Sequence, residues 1–157
     1  MKAKFCNSDI VVNSKISRSM QSFYNKDHRA KADRVIKLVK KALPVLSKLL
    51  DVPSDVSVRV ASIKSKFYVG YYYNSRNLVV LDYKRDLRTT LEILCHEFVH
   101  AEQYKTGRLS RVGRQQLWLG SAISRTKYMN LPWEQEAYGR QKELADLVIE
   151  QVPNILE

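Results

Sequence analysis

Cysteine is nearly missing from this chain: Cys6 and Cys95 are its only two, too few and too far apart for a disulfide framework. Both are expected as free thiols in a reducing compartment, Cys95 packed on a helix. Long apolar runs are missing too. None approaches the roughly 20 residues that cross a bilayer, and the stretch from Met1 to Asp9 has no signal-peptide core. No membrane contact and a cytoplasmic location are therefore expected. Internal repeats, low-complexity segments and dense basic blocks are also lacking, which argues against solenoids, disordered chains and basic tails. Histidine is scarce, with three residues in all.

Composition supplies the frame for what is there. Hydrophobic residues make up 45% and charged residues 27% of the 157 residues, as in a globular protein of one domain with a real core. The net charge of +11 and pI near 9.7 imply attraction to polyanions or acidic protein surfaces. The cations are scattered: Lys37, Lys40, Lys41 and Lys48 in one helical stretch, Lys84, Arg85 and Arg88 further on, then Arg108, Arg111 and Arg114. A weak contact with nucleic acid or an acidic protein stands beside the plainer reading, a solvated basic face.

Hydrophobic periodicity divides the chain. Residues 1–26 read as an arm or short strand followed by a short helix over 14–24, with Ile16, Met20 and Phe23 at helical spacing. A helix over 27–50 follows, with Asp27 as its cap and Val35, Leu38, Val39, Ala42, Leu46 and Leu49 on one face; Pro44 predicts a kink or a break. His28 sits in its polar opening and is expected to be exposed. After the turn over 51–55 the period shortens to two. Val56, Val58 and Val60, then Phe67, Val69, Tyr71 and Tyr73, then Leu78–Leu81 predict a three-stranded meander over 56–82. Asp86 can cap a helix over 87–105, closed by Gly107. Residues 110–128 read as an irregular excursion with a strand at Gln115–Gly120, and a final helix runs over 133–149 with Pro132 in its first turn. The fold class is α+β: one domain with a small, mainly antiparallel sheet.

The predicted helix over 87–105 carries Cys95-His96-Glu97-Phe98-Val99-His100. Positions four apart lie one turn apart on one face, so His96 and His100 can offer two imidazole nitrogens to one metal ion. The expected metal is zinc (Zn2+). Glu97, beside the first ligand, is placed to take a proton from water activated by the metal. Catalytic zinc sites usually have a third protein ligand, and the final helix offers Glu134 and Glu136. Two helical steps turn a side chain by about 200°, so only one of them faces inward. Glu134 shares the face of Ala137, Leu144 and Val148, with Gln141 between, whereas Glu136 aligns with Arg140 and Glu143. Amphipathicity thus selects Glu134, whose plainer role is an acid stabilised by the helix dipole.

The motif followed by a Glu on a later helix resembles the zincin metallopeptidases in their gluzincin branch. More narrowly, Leu131-Pro132-Trp133-Glu134 with Glu136, Ala137 and Tyr138 looks like small H-E-x-x-H metallopeptidases of phages and bacteria. The resemblance covers roughly Val56 to Ala145. Ala137, three residues after Glu134, fits a spacing common among gluzincins, while the thermolysin-like branch, with Glu directly before Ala, points to Glu136. An Asp four residues after the ligand, common in the clan, is replaced here by Tyr138. The resemblance implies hydrolysis of a polypeptide substrate, with zinc on His96, His100 and Glu134 and with Glu97 as general base. An oxyanion donor is open among Tyr104, Tyr128, Tyr138 and Arg140. An extended peptide could add as a strand in a groove between the sheet edge and the motif helix. The alternative is a non-catalytic, zinc-containing basic binding module.

Overall fold

Four strands, Ile10–Val12 (β1), Ser57–Ala61 (β2), Gly70–Tyr73 (β3) and Leu78–Asp82 (β4), form one sheet in the order β1-β2-β4-β3. The computed structural model describes residues 10–12, 26–52, 55–65, 67–123 and 126–157; the short helix expected over 14–24 lies outside the described residues. The expected meander is corrected, because β4 inserts between β2 and β3, parallel to the first and antiparallel to the second. Burial explains the order. Leu78-Val79-Val80-Leu81 is apolar on both faces and fully buried, which demands a central place. Gly-Tyr-Tyr-Tyr of β3 is only half buried and takes the edge, four residues long where eight were expected. Val79 and Leu81 join Val58 and Val60 in the main core, and Leu78 and Val80 pack with Ala61 on the other face. The chain is mixed α+β, with β1–β2 and β3–β4 antiparallel.

The helix Lys26–Leu49 (α1) buries Ala32, Val35, Leu38, Val39, Ala42 and Leu46 and continues through Pro44 without a break. Leu50, not Leu49, completes its buried face, Leu49 being exposed. Leu87–Lys105 (α2) has the expected ends. Asp86 accepts the Thr89 backbone N–H at 2.8 Å, a cap worth about 1 kcal/mol, and Gly107 takes φ +72 beyond the last turn.

The stretch expected to be irregular is a second, antiparallel sheet of Leu109–Val112 (β5), Gln115–Trp118 (β6) and Ser121–Ala122 (β7). Its turns use left-handed backbone at Gly113 (φ 58), Leu119 (φ 51) and Gly120 (φ 80). Pro132–Gln151 (α3) extends slightly beyond the expected helix and packs along α2, which also meets α1, β3 and β4. Among the described residues no helix is long and apolar enough to cross a membrane.

Candidate metal centre

Two faces of α2 are buried for different reasons. Leu91, Leu94, Cys95, Phe98 and Val99 are sealed in the core and fix the rotation of the helix. His96, Glu97 and His100 are then carried, also buried, to the side where α3 begins. On α3, Trp133 and Glu134 are buried in the first turn and Ala137 one turn later.

His96 Nε2 and His100 Nε2 stand 3.1 Å apart. Glu134 reaches both, Oε2 lying 3.2 Å from His96 Nε2 and Oε1 3.4 Å from His100 Nε2. One donor atom from each of the three residues lies within 4.8 Å of the others. Glu136, the competing carboxylate, is elsewhere engaged: it pairs with Arg108 at 2.5 Å and Arg140 at 2.8 Å. Glu102 joins both arginines, so four charged side chains tie α2, α3 and the start of β5 together. His28, at the exposed start of α1, contacts the Tyr83 hydroxyl at 3.1 Å and is no member of the cluster.

The hydrogen bonds behind the rings test whether this cluster suits a cation. Gln103 donates from Nε2 to the Trp133 carbonyl at 3.0 Å and to Glu136 at 3.3 Å, which leaves its Oε1 facing His100 Nδ1 at 2.9 Å. His100 Nδ1 must then carry hydrogen, and its Nε2 lone pair is free to point at His96 and Glu134. Gln141 Oε1 faces His96 Nδ1 at 3.0 Å and favours the same tautomer there. Two lone pairs and a carboxylate facing one another require positive charge between them, a proton or a metal ion. The donor set of two imidazoles and a carboxylate suits zinc.

The electrostatics agree. Burial acts to raise the Glu134 pKa, but hydrogen bonds from His100 and His96, the His100 charge and a Tyr128 hydrogen bond bring it down to about 2. At His100 burial pulls downward, and the Glu134 hydrogen bond with the charges of Glu97 and Glu134 outweighs it, leaving the pKa raised. Glu97 is shifted upward by burial, against the charges of His100 and His96 and a hydrogen bond from the Tyr72 backbone N–H. Cys95, next in the chain to His96 and turned about 100° from it round the helix, is sealed in the core and its thiol is pushed up to about 12, chiefly by burial.

These groups border a cleft of about 190 Å³ whose walls include Gly70, Tyr72, Glu97, His100, Tyr128 and Glu134. The cleft runs between α2 and the edge strand β3. Gly70 permits the approach: a Cβ there would meet Ile93 Cγ2 at 2.5 Å and stand 3.4 Å from Glu97 Oε1. Of the residues open for an oxyanion role, Tyr128 lines the cleft and hydrogen-bonds Glu134, and Tyr104 lines it further along. Tyr138 instead lays its ring against His96, centroids 4.5 Å apart, and Arg140 is held by Glu102 and Glu136. Sequence reasoning missed Gln103, Gln141 and Gly70. The available signals were Gln103, one turn after His100 on the same face, and Gln141, a polar residue on the inward face of Glu134. Compared with protein-family models, with curated proteins and with solved structures, the chain has no match.

Proposed function

We propose that the protein is a zinc-dependent peptide hydrolase, with His96, His100 and Glu134 holding the metal and Glu97 as general base. One observation carries this reading: two imidazole nitrogens and a carboxylate converge beside a buried glutamate on an open cleft. Three protein donors with one side left open make the donor set of a catalytic zinc site, since structural sites are closed by a fourth. Zinc, when bound, supplies Lewis acidity towards water and towards a carbonyl oxygen.

The chain's own residues do the remainder. Glu97 takes a proton from the attacking water at its carboxylate oxygen and passes it to the leaving amine. Burial raises its proton affinity and so suits it to both transfers. The Tyr72 backbone N–H holds that carboxylate, and Gly70 keeps the strand close to it. An extended polypeptide can lie along β3, the outermost strand of its sheet among the described residues, held by the main-chain groups that Glu97 does not use. Charge developing on the carbonyl oxygen calls for a donor from the cleft wall, where Tyr104 and Tyr128 stand; Tyr128 must turn its hydroxyl from Glu134 to serve.

The test combines metal content with turnover of an unstructured protein such as casein. Close to one zinc per chain is expected, lost in His96→Ala and His100→Ala, while Glu97→Gln keeps zinc and loses hydrolysis. Unchanged zinc in both histidine variants, or full turnover by Glu97→Gln, would overturn the reading. Zinc bound through these ligands without hydrolysis of any peptide would instead identify a non-catalytic zinc module.

A further inference from the structure

A second cavity, of about 520 Å³, lies where the first turns of α1 meet the connection from β4 to α2. Lys31 and Arg34 line it from α1, and Lys84, Arg85 and Arg88 from the connection and the first turn of α2. Asp86, its one carboxylate, is engaged by the Thr89 backbone N–H. Lys84 donates to the Ile63 carbonyl, and Arg88 pairs with Glu92 and Asp146. Lys31, Arg34 and Arg85 are exposed and have no partner among the described residues. The N-terminal end of α2 adds partial positive charge to the same wall.

The charge continues along α1. Arg34, Lys37, Lys41 and Lys48 follow at steps of three, four and seven residues and share one side of the helix, a row about 21 Å long. Lys41 also donates to the Asn154 carbonyl at 2.7 Å. Over its whole length α1 carries eight Lys and Arg against Asp27 and Asp33. Such a row is longer than a mononucleotide and suits a polymer with charge at regular intervals.

We infer that this face binds duplex DNA, the cavity seating a phosphate and the α1 row following the backbone. A duplex presents one charge per ~1.7 Å of its axis, and its binding needs cations but no base contacts. Single strands, by contrast, are held by exposed aromatic platforms. The aromatic ring in this wall, Tyr83, is 2% exposed, while the exposed Tyr68 and Tyr128 line the metal cleft. His96 lies nine residues beyond Leu87, about 14 Å along the axis of α2, so the two sites occupy separate ground. The inference does not depend on the metal or on hydrolysis.

Fluorescence anisotropy of the full chain with a labelled duplex of about 20 base pairs, over about 50 to 300 mM salt, tests it. Affinity should fall linearly with salt on logarithmic axes. Arg34→Ala and Arg85→Ala should each weaken binding about three- to tenfold and reduce the salt slope by about 1. Lys142→Ala, an exposed lysine on α3, should change neither. Unaltered melting curves would exclude misfolding of these surface variants. No salt-dependent binding by the parent, slopes unchanged in both arginine variants, or tighter binding of a single strand of equal length would overturn the inference. So would equal affinity for poly-glutamate at the same salt, which would indicate an acidic protein partner.

Discussion

Gln103 Oε1 meets His100 Nδ1 at 2.9 Å, while the Gln103 amide nitrogen is held by the Trp133 carbonyl and Glu136. The amide is thereby oriented, and it dictates which nitrogen of the ring carries hydrogen. Gln103→Met, similar in length and without either polar atom, should lower zinc affinity roughly 10- to 100-fold, the usual cost of removing a partner behind a metal ligand. Competition against a chromophoric chelator measures this. Parental affinity in that variant would show that the amide does not set the tautomer.

Gly70→Ala should be costly out of proportion to its size. The new methyl would meet Ile93 Cγ2 at 2.5 Å, so strand and helix must separate, at about 1 to 3 kcal/mol in urea unfolding. Glu97, next to the same contact, should lose its alignment and turnover should fall. Adding Ile93→Ala should recover part of both losses relative to either single change, which a double-mutant cycle reads directly.

The two carboxylates at the start of α3 should fail differently. Glu134→Ala should lose zinc, since it removes one of three donors. Glu136→Ala should keep zinc near parental stoichiometry and lose about 1 to 2 kcal/mol of stability, because Arg108 and Arg140 are left with fewer partners in a half-buried network. Metal analysis and urea melts on both variants separate the roles, and the opposite pattern would transfer the ligand to Glu136.

Stability should depend on pH in opposite senses with and without metal. The His100 pKa lies above its ordinary 6.5, so its contribution to the metal-free fold is complete below that value and disappears as pH rises through the folded pKa. Glu97, also raised, ionises at a cost in the same direction. Glu134, held near 2, contributes fully above its ordinary 4.5 and adds no slope near neutrality. Between about pH 6 and about pH 8 the chelator-treated protein should therefore lose a few degrees of Tm, while zinc-loaded protein gains, because the metal needs deprotonated ligands. Scanning calorimetry decides it, and a flat or rising metal-free trend would contradict the assignment.

What the sequence discloses depends on whether the cause is local. The ends of α2 are legible because Asp86 and Gly107 act on the nearest turn, and the inward side of Glu134 is legible from the apolar row it shares. Strand order is not, because the central position of β4 reflects burial on both faces by elements distant in the chain. Of the second sheet only β6 is legible, within the strand expected over Gln115–Gly120; β7 is exposed, and the turn before it sets a leucine, Leu119, in left-handed backbone. Gln103 and Gln141 look like ordinary helical amides until the ring nitrogens across from them are located.

The edge strand β3 has only the four residues Gly70–Tyr73, and the chain then leaves the ladder through a 3-10 turn that ends in left-handed Asn77. An open edge normally invites copies of a protein to stack into fibrils. Here the exposed ladder is little more than about 13 Å long at the usual rise per residue. So short a ladder offers a second chain few main-chain hydrogen bonds along which a sheet could grow.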